Sequence, residues 1–330
     1  MGPNELSYIN AKAWKDIYYH SKKDFAKDPD FMGELPNGVV HIGTADRVTH
    51  SRMRKAFSHA FSDRALREQE HLIQRHMDNM ISMVKGMIGQ DAYSARLNLV
   101  EICNLTTFDM MSELTFGESL NLLENKQYLP WVTAIFQGLK FMTVRGVLKK
   151  LSTVGRLSEL LISKALRKQF EAHFNFSVDL VNRRLARIDN ANPDIWHFVL
   201  QKKEDMRLSV PEMHSNASGL MIGGAETIAT VLSGLFYFLM REPAVLQRLV
   251  SDIEESFETE AEITLLNVAK LEYLGACIAE SLRLYPSAAV GLPRIVPPEG
   301  ANICNGRVPG KVQFPQQSSP SDWPLLKPHS

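Results

Sequence analysis

Glu226 and Thr227 stand side by side within Ala217 to Met240, the most apolar stretch of the chain, where Glu226 is the only charge. An acid next to an alcohol can relay protons to a bound oxygen species. Gly223 and Gly224 come just before them. Adjacent glycines weaken a helix by about 1 kcal/mol each relative to alanine, so something must gain from the missing side chains. One gain is room, because a backbone without Cβ atoms lets a flat ligand approach. The other is close helix packing with Glu226 paired to a buried cation, and the segment alone leaves both open. Further on, Glu280 and Arg283 are three residues apart, close enough to pair on a helix. On an exposed face such a pair adds only roughly a few tenths of a kcal/mol. Arg294 follows in Gly291-Leu292-Pro293-Arg294. His71 and His76, five apart, do not share a helix face, and the sequence holds no His-Glu-x-x-His, Cys-x-x-Cys or phosphate loop. No metal site is expected from spacing.

The elements that must position these residues are mostly helical. Apolar residues recur at three- and four-residue steps from His50 to Val84, with a break near Ser62-Asp63 where Asp63 is the expected N-cap. Further helices are expected at Leu97 to Leu114, Leu129 to Gly146, Leu157 to Ala186 and Pro193 to Gln201. Ser209-Val210-Pro211-Glu212 reads as a capping box with proline in the first turn, and it opens the helix that carries Glu226. That helix is long enough to span a bilayer, but its polar start and its mid-helix acid favour a buried core helix of a soluble protein. Leu271 to Tyr285 is expected to form a helix with Leu271, Leu274, Ile278, Leu282 and Tyr285 on one face, and Pro286 ending it. Strand signals are few and late, at Gly291 to Val296 and Ala301 to Val308. The fold class is mainly α with a small β portion.

Composition excludes several classes. The 330 residues carry 37 Lys+Arg against 37 Asp+Glu, so no nucleic-acid partner is expected. Hydrophobic residues at 45% and charged residues at 22% are enough to bury a core. Three cysteines cannot make a disulfide framework and fit a reducing compartment. The first thirty residues hold no apolar run with basic flanks, so no leader or anchor is expected there.

Together these motifs resemble the cytochrome P450 haem-thiolate monooxygenases. Glu280-Ser281-Leu282-Arg283 matches the family's Glu-x-x-Arg helix, and Gly223 to Thr227 matches its oxygen-activating Ala/Gly-Gly-x-Glu/Asp-Thr helix. Leu284-Tyr285-Pro286 and Leu292-Pro293-Arg294 follow in the expected order. Ala13 to Tyr18, His50 to Arg54, Ala60 to Glu70 and Thr106 to Asp109 resemble the fungal branch, and most of all hydroxylases of terpenoid and mycotoxin pathways such as those of the isotrichodermin type. The resemblance covers roughly Lys12 to Gly310. It implies a cytochrome P450 fold and a haem cofactor. His50, Arg54 and Arg294 would bind the haem propionates, since guanidinium pairs strongly with carboxylate. Glu226 and Thr227 would guide protons to dioxygen, Gly224 would leave space for it, and Glu280 with Arg283 would be structural. An apolar secondary metabolite (terpenoid or polyketide) as substrate, an NADPH-cytochrome P450 reductase as electron donor and the cytosolic face of the endoplasmic reticulum membrane are also implied. The basic, leucine-rich stretch Leu148 to Lys168 would supply peripheral membrane contact.

The chain also departs from the family. The iron-ligating cysteine belongs to a Phe-x-x-Gly-x-Arg-x-Cys-x-Gly loop, and none of Cys103, Cys277 and Cys304 has that surrounding. After Gly310 the text turns rich in Pro, Ser and Gln. The expectation is a partial family domain over residues 1–310, incomplete at both ends, and a divergent, disordered tail over residues 311–330. The competing readings are a catalytically inactive, truncated remnant that binds at most a hydrophobic ligand or partner, with a cytoplasmic location, and a membrane protein anchored by Ala217 to Met240.

Overall fold

The computed structural model describes residues 5–8, 10–18, 25–89, 96–125, 132–133, 135, 164–187, 193–202, 207–288 and 292–314. The helix expected at Leu129 to Gly146, the stretch 148–163 and residues 315–330 therefore fall almost wholly outside the described residues. Two compact units are present. The first takes residues Met1–Met53, Trp131–Asn175 and Ala288–Ser330, and the second Arg54–Pro130 and Phe176–Ser287.

The first unit is built around α1 (Ala11–Tyr18) and two small sheets. One sheet runs in the order β1 (Ala26–Lys27), β2 (Arg294–Ile295), β5 (Gln313–Phe314), all antiparallel. The other is the hairpin of β3 (Ala301–Ile303) and β4 (Gly306–Val308). Ala13, Ile17, Phe25, Val296, Ala301, Ile303 and Val308 form its core. Cys304 and Asn305 both have positive φ, 51° and 67°, which is the turn a two-residue hairpin requires. Helix α1 holds that turn from outside: Asp16 accepts the Cys304 N–H at 2.9 Å, and Lys12 donates to Asn305 at 2.7 Å. Beyond Gly310, Val296 N donates to Val312 O, Lys311 N donates to Val296 O, and β5 pairs with β2, so residues 311–314 take part in this sheet.

Besides three four-residue helices, Pro29–Met32, Leu122–Asn125 and Leu265–Val268, the remaining described α-helices are α2 (Arg47–Phe57), α3 (Asp63–Ile88), α4 (Leu99–Phe116), α5 (Lys164–Ala186), α6 (Ile195–Leu200), α7 (Val210–Met221), α8 (Thr227–Arg241), α9 (Pro243–Ser256) and α10 (Glu272–Leu284). Ser62, not Asp63, is the N-cap of α3: its side chain accepts the Ala65 N–H, and Asp63 sits in the first turn, where its charge suits the helix dipole. The capping box of α7 forms as its spacing predicts, with Ser209 N–H donating to Glu212 at 2.9 Å.

Within the second unit α4 is the helix with the most packing partners, while α9 and α10 pack on α8 and on each other. Helix α4 touches α3, α6, α7, α8 and the segment between α7 and α8, and nearly all of its residues from Ile102 onward are buried. A helix enclosed on all sides must satisfy its own polar groups. Asn104, Thr106 and Thr107 bond back to carbonyls of their own helix. Asp109 accepts two backbone N–H groups, from Leu122 and Leu123, each at 2.9 Å. Glu113 pairs with His76 at 2.7 Å and with Arg75, both on α3. At the end of α4, Gly117 adopts φ 69° to close the helix, and a Cβ there would lie 2.9 Å from Asp194 Oδ2. Asp194 in turn caps α6 through His197 N at 2.7 Å and forms a buried ion pair with Arg184.

Two helices show how their faces are used, and one of them corrects an expectation. On α10, Ile278, Leu282 and Tyr285 are exposed, while Leu274 and Cys277 pack with Leu235, Leu239 and Leu249, and Ser281 is buried. The face is set by Gly234 on α8, where a Cβ would stand 3.2 Å from Tyr285 and 3.4 Å from Ser281 Oγ. The stretch expected to be a buried core helix is buried on one face only. Ala217, Met221, Ala225, Ala229, Leu235 and Leu239 are covered, whereas Ile228, Phe236, Tyr237 and Met240 are exposed. Val210–Arg241 is long and apolar enough to cross a membrane, a property that a core helix of a soluble protein can share.

Burial raises the Glu113 carboxyl, but the His76 and Arg75 hydrogen bonds and charges outweigh it and bring the group down to about 2. A carboxylate depressed in the folded state adds stability that is present above its unfolded value and lost as pH falls from about 4.5 toward about 2. After discounting for the half-exposed Arg75, that contribution is on the order of 2 kcal/mol. Urea midpoints across this window should fall for the native chain and stay flatter for Glu113→Gln.

Candidate functional site

The segment carrying Gly223 to Thr227 is not a continuous α-helix. Between α7 and α8, Ile222–Glu226 forms a π turn, in which each closure spans one extra residue. Thr227 Oγ1 donates to Gly223 O at 2.5 Å, folding the hydroxyl back onto the turn. Glu226 is half-buried, and burial raises its carboxyl above the ordinary carboxylate range. No cation pairs with it among the described residues, so the buried-cation reading of this acid is not met. A partly desolvated acid beside a fixed hydroxyl can accept, hold and release a proton.

The two glycines have different roles. A Cβ on Gly223 would meet nothing within 4 Å, so the backbone there faces open space. The space expected at Gly224 is taken by Met111 of α4, whose Sδ would be 2.6 Å from a Cβ at that position. Open space therefore lies beside the Gly223 backbone, and the end of the Met111 side chain fills the space beside Gly224.

Arg283 grips Glu280 with both arms, Nε to Oε2 at 2.7 Å and Nη2 to Oε1 at 2.6 Å. The Arg283 hydrogen bond, against some burial, holds the Glu280 carboxyl below its ordinary value. This bidentate pair fixes side-chain geometry on α10 and leaves no free group for proton transfer.

In the first unit, Arg294 is half-buried on β2, lies over the Tyr18 ring at 5.2 Å and has no carboxylate partner among the described residues. Its register partner across the ladder is Lys27 on β1, a residue the sequence reading did not single out. Like charges placed directly opposite on a ladder oppose pairing. Burial first, then the Arg294 charge, lower Lys27 to about 8, and burial with Lys27 lowers His41 to about 4. Lys27 donates to Ile42 O at 2.8 Å. Two cations side by side can hold an anion such as a carboxylate. On α2, His50 is half-buried and Arg54, one turn later, is exposed and has no carboxylate partner among the described residues.

The family described as Cytochrome P450 matches residues 1–300, and the chain belongs to that family. It is 41% identical to the cytochrome P450 monooxygenase efuB of Hormonema carpetanum over 98% of this chain and 64% of that protein. It is 37% identical to the cytochrome P450 monooxygenase FUM2 of Gibberella moniliformis, covering 95% and 67%. It is 34% identical to a versicolorin B desaturase of Dothistroma septosporum, covering 94% and 61%. The chain thus spans about two thirds of the length of these relatives. Membership makes haem the family cofactor.

The donors present fit that group in part. The open backbone at Gly223 suits a flat ring, and Arg294 with Lys27 suits a carboxylate. The cysteines do not suit iron. Burial raises the thiols of Cys103 and Cys277 away from the thiolate form, and Cys304 occupies the hairpin turn.

A lysine depressed in the folded state works against stability while it is charged. Stability should therefore climb as pH rises from about 8 toward about 10.5, the interval between the folded and ordinary values of Lys27. In Lys27→Met this climb should vanish from urea midpoints. In Arg294→Gln, NMR of the lysine side chain should show Lys27 titrating above about 8 but still below about 10.5, because burial remains.

Proposed function

We infer that the protein is a fungal haem-dependent monooxygenase that inserts one oxygen atom of dioxygen into an apolar secondary metabolite, a terpenoid or polyketide of a mycotoxin-type pathway. The carrying observation is the π turn, which sets a half-buried, proton-holding Glu226 next to the fixed Thr227 hydroxyl and beside the open backbone of Gly223. The names of the relatives support the pathway class, since FUM2 and efuB are monooxygenases and a third relative is a desaturase of versicolorin B. Hydroxylation consumes dioxygen, two electrons and two protons and yields the alcohol and water.

Haem, when bound, supplies the iron at which dioxygen is activated. Every other role belongs to side chains. Arg54, Arg294 and His50 are the residues that would hold the carboxylates of that ring. Glu226 passes protons from solvent through its carboxyl, and Thr227 Oγ1 orients the acceptor end of that path. Glu280 and Arg283 hold α10 in shape. Electrons come from an NADPH-dependent cytochrome P450 reductase, and the location is the cytosolic face of the endoplasmic reticulum membrane. Residues 1–310 together with at least Lys311–Phe314 act as one part of the family domain, and 315–330 as a divergent tail.

The second reading, a helical protein that binds an apolar ligand without redox chemistry, is favoured by the three unsuited cysteines. Haem titration of the purified chain separates the two. Saturable uptake that weakens at least about tenfold in Arg54→Leu and in Arg294→Leu supports the haem-holding roles, about 1.4 kcal/mol or more per lost contact. No uptake selects the second reading. In the full-length protein, Glu226→Gln should lower product formation about 10²-fold at saturating substrate, measured by product chromatography with reductase in excess.

A further inference from the structure

The π turn Ile222–Glu226 is the one irregular closure in the long helical run from Val210 to Arg241. A π turn forfeits the α hydrogen-bond register and persists where neighbouring groups hold it. The neighbour is identified by the two glycines. A Cβ on Gly224 would stand 2.6 Å from Met111 Sδ and 3.0 Å from Met111 Cγ, so the thioether fills the volume that any side chain at 224 would need. A Cβ on Gly223 would meet nothing within 4 Å, so packing demands glycine only at 224. Met111 is buried on α4, the helix on which the π turn rests. An unbranched thioether is suited to an irregular gap of this kind. If the turn relaxed to α, one residue would be displaced from the closure, and the helix beyond it would rotate by about 100°. Glu226 and Thr227 would then leave their present face.

We propose that Met111 is a positioning residue: its thioether, seated in the notch left by Gly224, holds the π turn and thereby sets where the Glu226 carboxyl and the Thr227 hydroxyl point. The proposal rests on the reading of that pair as the proton-handling group, and it adds a residue that touches neither ligand nor reacting atoms.

The test uses the whole chain without haem, so a failure of haem uptake leaves the result unaffected. With glutamate carboxyls labelled with carbon-13, and the Glu226 signal assigned by its loss in Glu226→Gln, NMR follows the titration of this one acid. Met111→Ala empties the notch and Gly224→Ala blocks it. Each should move the Glu226 midpoint by at least about half a pH unit, because each frees the turn. Met111→Leu, which keeps the notch filled, should titrate within about 0.2 unit of the native chain. The double variant Met111→Ala/Gly224→Ala puts a methyl where the thioether was and should return the midpoint toward the native one, a non-additive cycle. A side chain that merely fills the core would lower the melting temperature in Met111→Ala and leave the Glu226 titration in place. The proposal is overturned if both single variants keep helical circular dichroism and the native Glu226 midpoint, or if the two shifts add in the double variant. Should Met111→Ala fail to fold, Gly224→Ala against Met111→Leu makes the same comparison.

Discussion

Helix α4 is surrounded by protein along most of its length, and that enclosure governs the second unit. A helix in such a place gains from apolar contact on every side but has no water to receive its polar side chains. The chain meets this demand in three ways. Thr106 and Thr107 return to carbonyls of their own helix, Asp109 takes two backbone N–H groups of the following turn, and Glu113 is gripped by Arg75 and His76. Where the demand is not met, as at the Ser112 and Thr115 hydroxyls, no partner exists among the described residues. Each of these bonds also fixes a neighbour. Asp109 places the Leu122–Asn125 turn, and Glu113 ties α3 to α4.

The geometry of the π turn is tied to the same enclosure. Because α4 lies against the helical run from Val210 to Arg241, a side chain at 224 would have to displace the thioether of Met111, which glycine leaves in place. The glycine then weakens the α register at the place where the neighbouring helix can hold another one. Glu226 follows in a partly desolvated position, and its carboxyl rises because nothing cationic compensates the burial.

Much of this was legible in the sequence, for reasons that can be stated residue by residue. The capping box at Ser209 and Glu212 is local chemistry, complete within four residues, and it forms as read. The Glu280–Arg283 pair is likewise local. The π turn was not legible, because it depends on Met111, more than a hundred residues earlier in the chain. The adjacent glycines were its only local trace. Lys27 was missed for the same reason: its meaning comes from Arg294 across a strand ladder. Which face of α10 is covered was not legible either: its apolar stripe at Ile278 and Leu282 is exposed, while a polar residue, Ser281, turns toward the small gap at Gly234.

The small sheet of the first unit has a consequence for biosynthesis. Its strands lie at Ala26–Lys27, Arg294–Ile295 and Gln313–Phe314, so the strand at Ala26–Lys27 has no ladder partner until Arg294–Ile295 has left the ribosome. At about 5–20 residues per second, that strand waits roughly 15 to 50 seconds. The contacts around α4, by contrast, are drawn from continuous stretches within the second unit. Synthesis therefore delivers the helical body first and closes the sheet last. During that interval, Phe25 and the apolar face of α1 are the surfaces that a nascent-chain chaperone would find uncovered.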